Sequence, residues 1–556
     1  MVQAAFSPAG PTLGDAIPGF GTDGIRGSVN LEAVEEEEAI RLIEQERTLT
    51  PAFIRLVGEA LSYTRPGLPG EGETVVVGWD RRPGNAALVN ALTLGLRLTG
   101  SQVIHIGECA TPTLHRAVLA FGARTGCMIT ASHNPVSDSG IKVFDTFGYK
   151  SNRAYESDVS QTVRQLAEED RDVDVVDLEA LSMPDEARPR WSEDAHRTWL
   201  DERWSQFESV FGPWNGTESA RFASPFLIDC ANGFGAAWLA DFLREQGVAC
   251  REVSSPSGVL NDGCGAGDLS PTATWTHQEA KASSHLLLKA LGAAPKGQFV
   301  GAALDGDGDR CLFIQATSTG FAVVDGDAMA AMLLNASADR SWAFAASIES
   351  DVALFGHAQA LNHQTACMET AVGDRWLSYA LRPEEGGWLH SPTLPTRCGI
   401  EDSGHVVLPA PHPDRPEAWS LVGDGAATLC AVLLAASNQS GATFDRGWKK
   451  RVSINDSRRE RWTSSADLFS RTERQLESAF ERLGFKAQRR RIEGEPDLLL
   501  MHGISEEGVA SFGIRNSGTQ AKTSLSVRLS KDLAPQPFED LLEATVGDLE
   551  AALTVD

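Results

Sequence analysis

The chain has 556 residues, 42% of them hydrophobic and 22% charged, the composition of ordinary globular protein with a length prior of three or four domains. Its 49 Lys and Arg stand against 76 Asp and Glu, and the formal net charge of -27 argues against nucleic acid or anionic membrane as a general partner, since both are polyanions. The 9 cysteines form no C-x-x-C pair and read as reduced thiols of a cytoplasmic protein, and the longest apolar run, around 426–436, is too short to span a bilayer.

From the amino terminus, Met1 to Phe20 lacks a basic segment followed by an apolar core, so no secretory signal is expected. Arg26 follows in Gly21-Thr-Asp-Gly-Ile-Arg-Gly27, a cation among glycines that allow the backbone close to a ligand. The acidic stretch 32–47 has a helical pattern and reads as a solvated insertion. Short Val- and Ile-rich runs at 74–78, 103–106, 226–229 and 299–304 read as buried strands. Alternating with longer helical patterns, they predict α/β layers with largely parallel sheets. The charged stretches 168–190 and 449–461 read as linkers, and the Pro-, Gly- and Trp-rich 382–397 as a second solvated insertion.

Polar, glycine-bearing loops follow several of these strands, where α/β sheets bind ligands. Cys127-Met-Ile-Thr130 leads into Ala131-Ser-His-Asn-Pro135, a turn that would hold the Ser132 hydroxyl at an exposed elbow; His133, adjacent in sequence, is not thereby its base. Lys142 stands in Gly140-Ile-Lys-Val-Phe144. Asp305, Asp307 and Asp309 recur at i, i+2 and i+4, separated by glycines, so an extended loop can aim all three carboxylates one way. Three hard oxygen donors suit Mg²⁺, which commonly takes a phosphate oxygen as well; a solvated Asp-Gly turn is the plain alternative. Glu401-Asp-Ser-Gly-His405 is a further such loop. Arg515-Asn-Ser-Gly-Thr519, between strand-like 509–513 and 523–528, offers a guanidinium, the Ser517 and Thr519 hydroxyls and backbone N–H groups around Gly518 to one anion.

In chain order, GTDGIRG, TASHNP, GIK, DGDGDR, VGDR, EDSGH and RNSGT together resemble the α-D-phosphohexomutase superfamily over nearly the whole chain. The wording is most similar to bacterial phosphoglucosamine mutases at 20–27, 227–233, 261–265 and 371–376. The resemblance implies a four-domain α/β architecture around a central cleft. Three related α/β domains would span 1–192, 193–322 and 323–450, and a smaller α+β phosphate-binding domain 451–556. It implies a mutase that interconverts glucosamine 6-phosphate and glucosamine 1-phosphate through a phosphoserine at Ser132, with Mg²⁺ held by Ser132, Asp305, Asp307 and Asp309. A hexose 1,6-bisphosphate would be both intermediate and primer.

By the same resemblance, Arg26, His133, Lys142 and Arg310 surround the reacting group, Lys142 being the acid/base whose proton affinity burial and neighbouring cations lower. Glu401, Ser403 and His405 would contact the sugar, and Arg515, Ser517, Gly518 and Thr519 the non-reacting phosphate. The expected partner is a small phosphosugar, and the expected assembly a monomer or homodimer. Glucose or mannose phosphates are the alternative substrates, and a phosphosugar-binding protein without turnover the alternative class. The sequence departs from the superfamily at Gln520-Ala521, where Glu-Pro usually stands, and at Ile400, where a glycine usually precedes Glu401.

Overall fold

The computed structural model describes residues 20–21, 23–63, 74–169, 175–216, 221–384, 387–438, 444–517 and 521–554. Its named strands sort into four sheets that succeed one another along the chain. The first has seven strands in the order Thr48–Leu49, Ile25–Val29, Asp138–Asp145, Thr125–Ile129, Thr74–Trp79, Gln102–Glu108 and Glu186–Ala187. Val75, Val76 and Val77 are fully buried, because helices cover both faces of the sheet. The segment between Ile129 and Asp138, which carries Ser132, leaves this sheet at the carboxyl end of its parallel strands.

The second sheet centres on the antiparallel pair Phe299–Leu304 and Cys311–Ala316, and the third contains Arg397–Ile400 paired with Val406–Pro411. Each pair turns through one of the candidate loops, 305–310 and 401–405. Sheets two and three share one continuous apolar core, which includes the helix Gly425–Asn438. That helix is apolar on every side from Ala426 to Ala436 and is buried accordingly. Helix Trp191–Phe211 lies against it, with the buried Arg203 donating to Asp424 Oδ2 at 2.6 Å. The fourth sheet, order Trp448–Asn455, Lys522–Leu529, Val509–Asn516, Leu499–Ile504 and Lys486–Arg490, is antiparallel throughout and has its own core.

The α/β class stands, but several local expectations do not. Largely parallel sheets hold only in part, because the hairpins that carry the loops bring antiparallel strands into the first three sheets. The stretch 168–190 is more than a linker: it contains helix Val175–Leu181 and strand Glu186–Ala187, which adds to Gln102–Glu108 while Asp185 accepts from Val103 N at 2.8 Å. The basic stretch 449–461 opens with a strand paired residue for residue to 522–529. Helix Glu36–Glu46 forms within 32–47 as the pattern predicts, yet it buries Ala39, Leu42 and Ile43 rather than standing free in solvent. Segment 382–397 is built into the third sheet through Leu389–His390, and Trp388 packs edge-on to Phe147 with ring centres 5.1 Å apart. Strand Gly320–Val324 runs through the expected boundary at 322, and Trp448–Asn455 through the one at 450. Among the described residues no helix is long and apolar enough to cross a membrane.

Two buried histidines make the first sheet acid-sensitive. His105 meets Thr93 Oγ1 at 2.8 Å, and His115 Nδ1 meets the Gly148 carbonyl at 2.8 Å. Burial pulls His105 down to about 4 and His115 to about 3. An unfolded histidine binds its proton near about 6.5, so the unfolded state takes up more protons below that pH. Stability should therefore be intact above about pH 6.5 and fall as the pH drops toward 4. Melting temperatures at pH 7.5 and pH 4.5 should show this loss, and His115→Asn, which keeps a donor for Gly148, should show a smaller one. An unchanged pH slope in that variant would remove His115 from the account.

Candidate active site

Ser132 sits at the tip of its loop in the left-handed region, φ 55°, which a non-glycine residue holds only where its surroundings impose it. Its N–H donates to Thr130 Oγ1 at 2.9 Å, and Thr130 Oγ1 donates to Asp80 Oδ2 at 2.6 Å. The fully buried Arg82 side chain is threaded through the loop. Its guanidinium donates to the carbonyls of Ser132 at 2.7 Å, Asn134 at 3.0 Å, Pro135 at 2.5 Å and Asp138 at 2.8 Å, and pairs with Asp80 at 3.0 Å. From the second sheet's side Asn261 Nδ2 donates to Ser132 O at 2.8 Å. The expectation of an exposed elbow is thus corrected: Ser132 is 0% exposed, because loops of the second sheet close over it.

The Ser132 hydroxyl donates to Asp305 Oδ2 at 2.8 Å, and His133 Nδ1 lies 3.5 Å from the same Oγ. Asp305, Asp307 and Asp309 are all buried and present oxygens within 4.8 Å of one another. Asp307 Oδ2 accepts from Thr111 Oγ1 at 2.6 Å and from Lys142 Nζ at 2.7 Å, while its Oδ1 is buried without a hydrogen-bond partner. Asp309 accepts from Lys142 Nζ at 2.7 Å. Three hard carboxylate donors, one with a free lone-pair face, fit a divalent cation such as Mg²⁺.

Lys142 does not have the surroundings expected of it. Burial favours loss of its proton, but Asp23, Asp307 and Asp309 outweigh burial and hold its ammonium well above the ordinary range. The groups that face it are mostly acids, not the cations expected from the sequence. His133 goes the other way: the charge of Arg310, then burial, then Arg26 keep its imidazole neutral, well below its usual range. Arg26 itself donates to Ala131 O and pairs with Asp23, both at 3.4 Å.

The third sheet's loop reaches the same cluster. His405 bridges Glu401 Oε2 at 2.6 Å and Asp309 Oδ1 at 3.0 Å, and Arg310 Nε approaches its Nε2 at 3.1 Å. Burial and Arg310 oppose charge on His405, yet Asp309 and Glu401 lift it to about 9. Glu401 also accepts from Gly373 N at 2.7 Å, and Ser403 is half-buried in the turn. Arg515 and Ser517 stand apart from this cluster on the fourth sheet. Arg515 pairs with Glu495 at 3.2 Å and Glu349 at 3.7 Å, and Ser517 N donates to Lys522 O at 2.8 Å. Gly518 and Thr519, with Gln520, lie outside the described residues.

Several residues of the site escape sequence reasoning. Lys150 Nζ joins Asp374 at 2.8 Å to Asp23 at 3.1 Å and approaches Asp309 at 3.5 Å. Asp23 and Asp374 lie inside GTDGIRG and VGDR, and Lys150 follows a glycine turn, so a search of motif neighbours for further charge would have found them. Asn261 lies in the 261–265 segment that carries the resemblance, whereas Arg82 gives no such signal. Removing Arg82 would leave several carbonyls unpaired and Asp80 uncompensated, so Arg82→Met should cost about 3–5 kcal/mol. A fall in melting temperature of several degrees checks this, and a wild-type melting curve would refute it.

Comparison with known proteins accords with this arrangement. The family described as phosphoglucomutase/phosphomannomutase, alpha/beta/alpha domain I, matches residues 18–170. A phosphoglucosamine mutase of Synechococcus sp. (strain CC9902) is 30% identical over 503 residues, spanning 87% of this chain and 90% of the relative. A phosphoglucomutase/phosphomannomutase family protein from Burkholderia thailandensis shares the fold with a TM-score of 0.60 over 97% of this chain and 100% of that one, at 18% identity. So does the Aspergillus fumigatus N-acetylphosphoglucosamine mutase in complex with GlcNAc-6P and magnesium, with a TM-score of 0.53 over 90% of this chain and 99% of that one, at 14% identity. The extent of the Synechococcus match means that the chain belongs to the α-D-phosphohexomutase superfamily, close to its phosphoglucosamine mutases.

Proposed function

We propose that the chain is a phosphoglucosamine mutase, which moves a phosphoryl group between O6 and O1 of glucosamine phosphate. The observation that carries this reading is the buried hydroxyl of Ser132, 2.8 Å from Asp305 within a cluster of three aspartates. Similarity to a named phosphoglucosamine mutase over most of the chain supports the hexosamine as substrate.

Ser132 carries the phosphoryl group as phosphoserine, first supplied by a hexose 1,6-bisphosphate primer. The free hydroxyl of the sugar phosphate attacks that phosphorus, the bond to Ser132 Oγ breaks, and the sugar leaves the serine as a 1,6-bisphosphate. After the intermediate turns round, Ser132 Oγ attacks its other phosphate and releases the isomeric monophosphate. Positioning and charge neutralisation dominate such transfers.

Asp305, Asp307 and Asp309, together with an oxygen on Ser132, are the residues that would hold Mg²⁺. When bound there the ion neutralises charge on the transferring group. Arg310 and Arg26 add fixed positive charge. Lys142, held as an ammonium, donates a hydrogen bond or a proton to an oxygen of that group, while His133, held neutral, is placed to accept one. Glu401, Ser403 and His405 contact the sugar hydroxyls, and Arg515, Ser517, Gly518 and Thr519 hold the phosphate that is not reacting. The setting is cytoplasmic.

The test is the interconversion of glucosamine 6-phosphate and 1-phosphate with Mg²⁺ and a trace of glucose 1,6-bisphosphate, run beside glucose and mannose phosphates. Ser132→Ala should lose at least about a thousandfold in turnover, and chelation should abolish turnover until Mg²⁺ is restored. Preference for another hexose would change the substrate alone; undiminished turnover by Ser132→Ala would sink the phosphoserine mechanism.

A further inference from the structure

The guanidinium of Arg515 is already engaged on both sides. Glu495 Oε1 accepts from Nη1 at 3.2 Å, and Glu349 Oε1 lies 3.7 Å from Nη2. All three side chains are largely buried, at 16% exposure for Arg515, 13% for Glu495 and 15% for Glu349, so these pairs are weakly screened. Both carboxylates face the guanidinium, although Glu349 is shared with Arg451 and Glu495 also feels the charge of Arg153.

Both acids are fixed in place. Glu495 follows Gly494, whose Cα lies against the Trp376 ring, and the Glu495 backbone closes a turn by accepting from Leu498 N at 3.2 Å. Glu349 comes from the third sheet, just past strand Ala343–Ser347, and is also bound by Arg451 at 3.0 Å. Arg451 in turn holds Asp402, within the Glu401–His405 loop, at 3.2 Å.

We propose that Glu349 and Glu495 are built-in competitors for the phosphate clamp: a phosphate monoester reaches Arg515 only by taking it from these two carboxylates. The inference rests on the reading of Arg515 as the holder of the non-reacting phosphate. Trading one anion for another at a guanidinium releases less free energy than binding to a free one, and a carboxylate left beside a phosphate dianion repels it. The clamp therefore grips less tightly than its donors allow. A mutase needs this, because the bisphosphate must leave the clamp, turn and re-enter with its other phosphate between the two transfers.

Inorganic phosphate is the probe, with its binding to the full chain measured by calorimetry and melting temperatures recorded for every variant. Glu495→Gln and Glu349→Gln should each tighten phosphate by about tenfold, a difference of about 1.4 kcal/mol. Both should lower KM for glucosamine 6-phosphate and also lower kcat, as release slows. Glu495→Asp should restore wild-type behaviour. Arg515→Gln should weaken phosphate by about tenfold or more, which places the probe at this clamp. If the two Gln variants bind phosphate as wild type does, or more weakly as a mere orienting role predicts, while Arg515→Gln still weakens it, the competitor inference is overturned and the clamp stands. If Arg515→Gln changes nothing, the clamp reading falls and the inference with it.

Discussion

Asp305, Asp307 and Asp309 are buried within 4.8 Å of one another on one loop, and at such separations in a medium of low dielectric their mutual repulsion has to be met locally. No single sheet supplies the compensation. Lys142 and Lys150 arrive from the first sheet's side, Arg310 from the aspartate loop itself and His405 from the third sheet, and between them they reach all three carboxylates. The close docking of sheets one, two and three is in this sense an electrostatic requirement of one loop. The long helix Trp191–Phe211 and its Arg203–Asp424 pair hold those sheets in register from behind.

What could be read in the sequence divides by whether the chemistry lies in the side chain itself or in what surrounds it. Ser132 and the aspartate triplet are legible because each pairs a functional group with glycines or turn residues in a short window, and Arg310 and His405 are reached through the family resemblance. Arg82 is not, since its partners are backbone carbonyls, which have no identity in the sequence. The surroundings of Lys142 and the burial of Ser132 are illegible for a related reason: both come from residues far along the chain, 165 positions away for Asp307 and 173 for Asp305. Strand Trp448–Asn455 resembled a linker because its basic side chains point outward or into ion pairs, leaving little apolar alternation to betray a sheet edge.

The fourth sheet is attached to the rest by charge as well as by packing. Lys449 meets Asp327 at 2.7 Å and Asp402 at 2.9 Å, Arg451 meets Asp402 and Glu349, and Glu349 meets Arg515. One run of alternating charges thus joins Arg515 to the turn that carries Glu401 and His405.

The elbow around Ser132 is completed by Asn261, which caps its carbonyl, and by Asp305, which takes its hydroxyl. During synthesis the serine leaves the ribosome long before either partner exists. A growing chain that has made only the first sheet carries the TASHNP loop without either of these two contacts. The enclosure of the Ser132 hydroxyl can therefore form only after the second sheet has been translated and docked, so this corner of the first sheet completes its packing late.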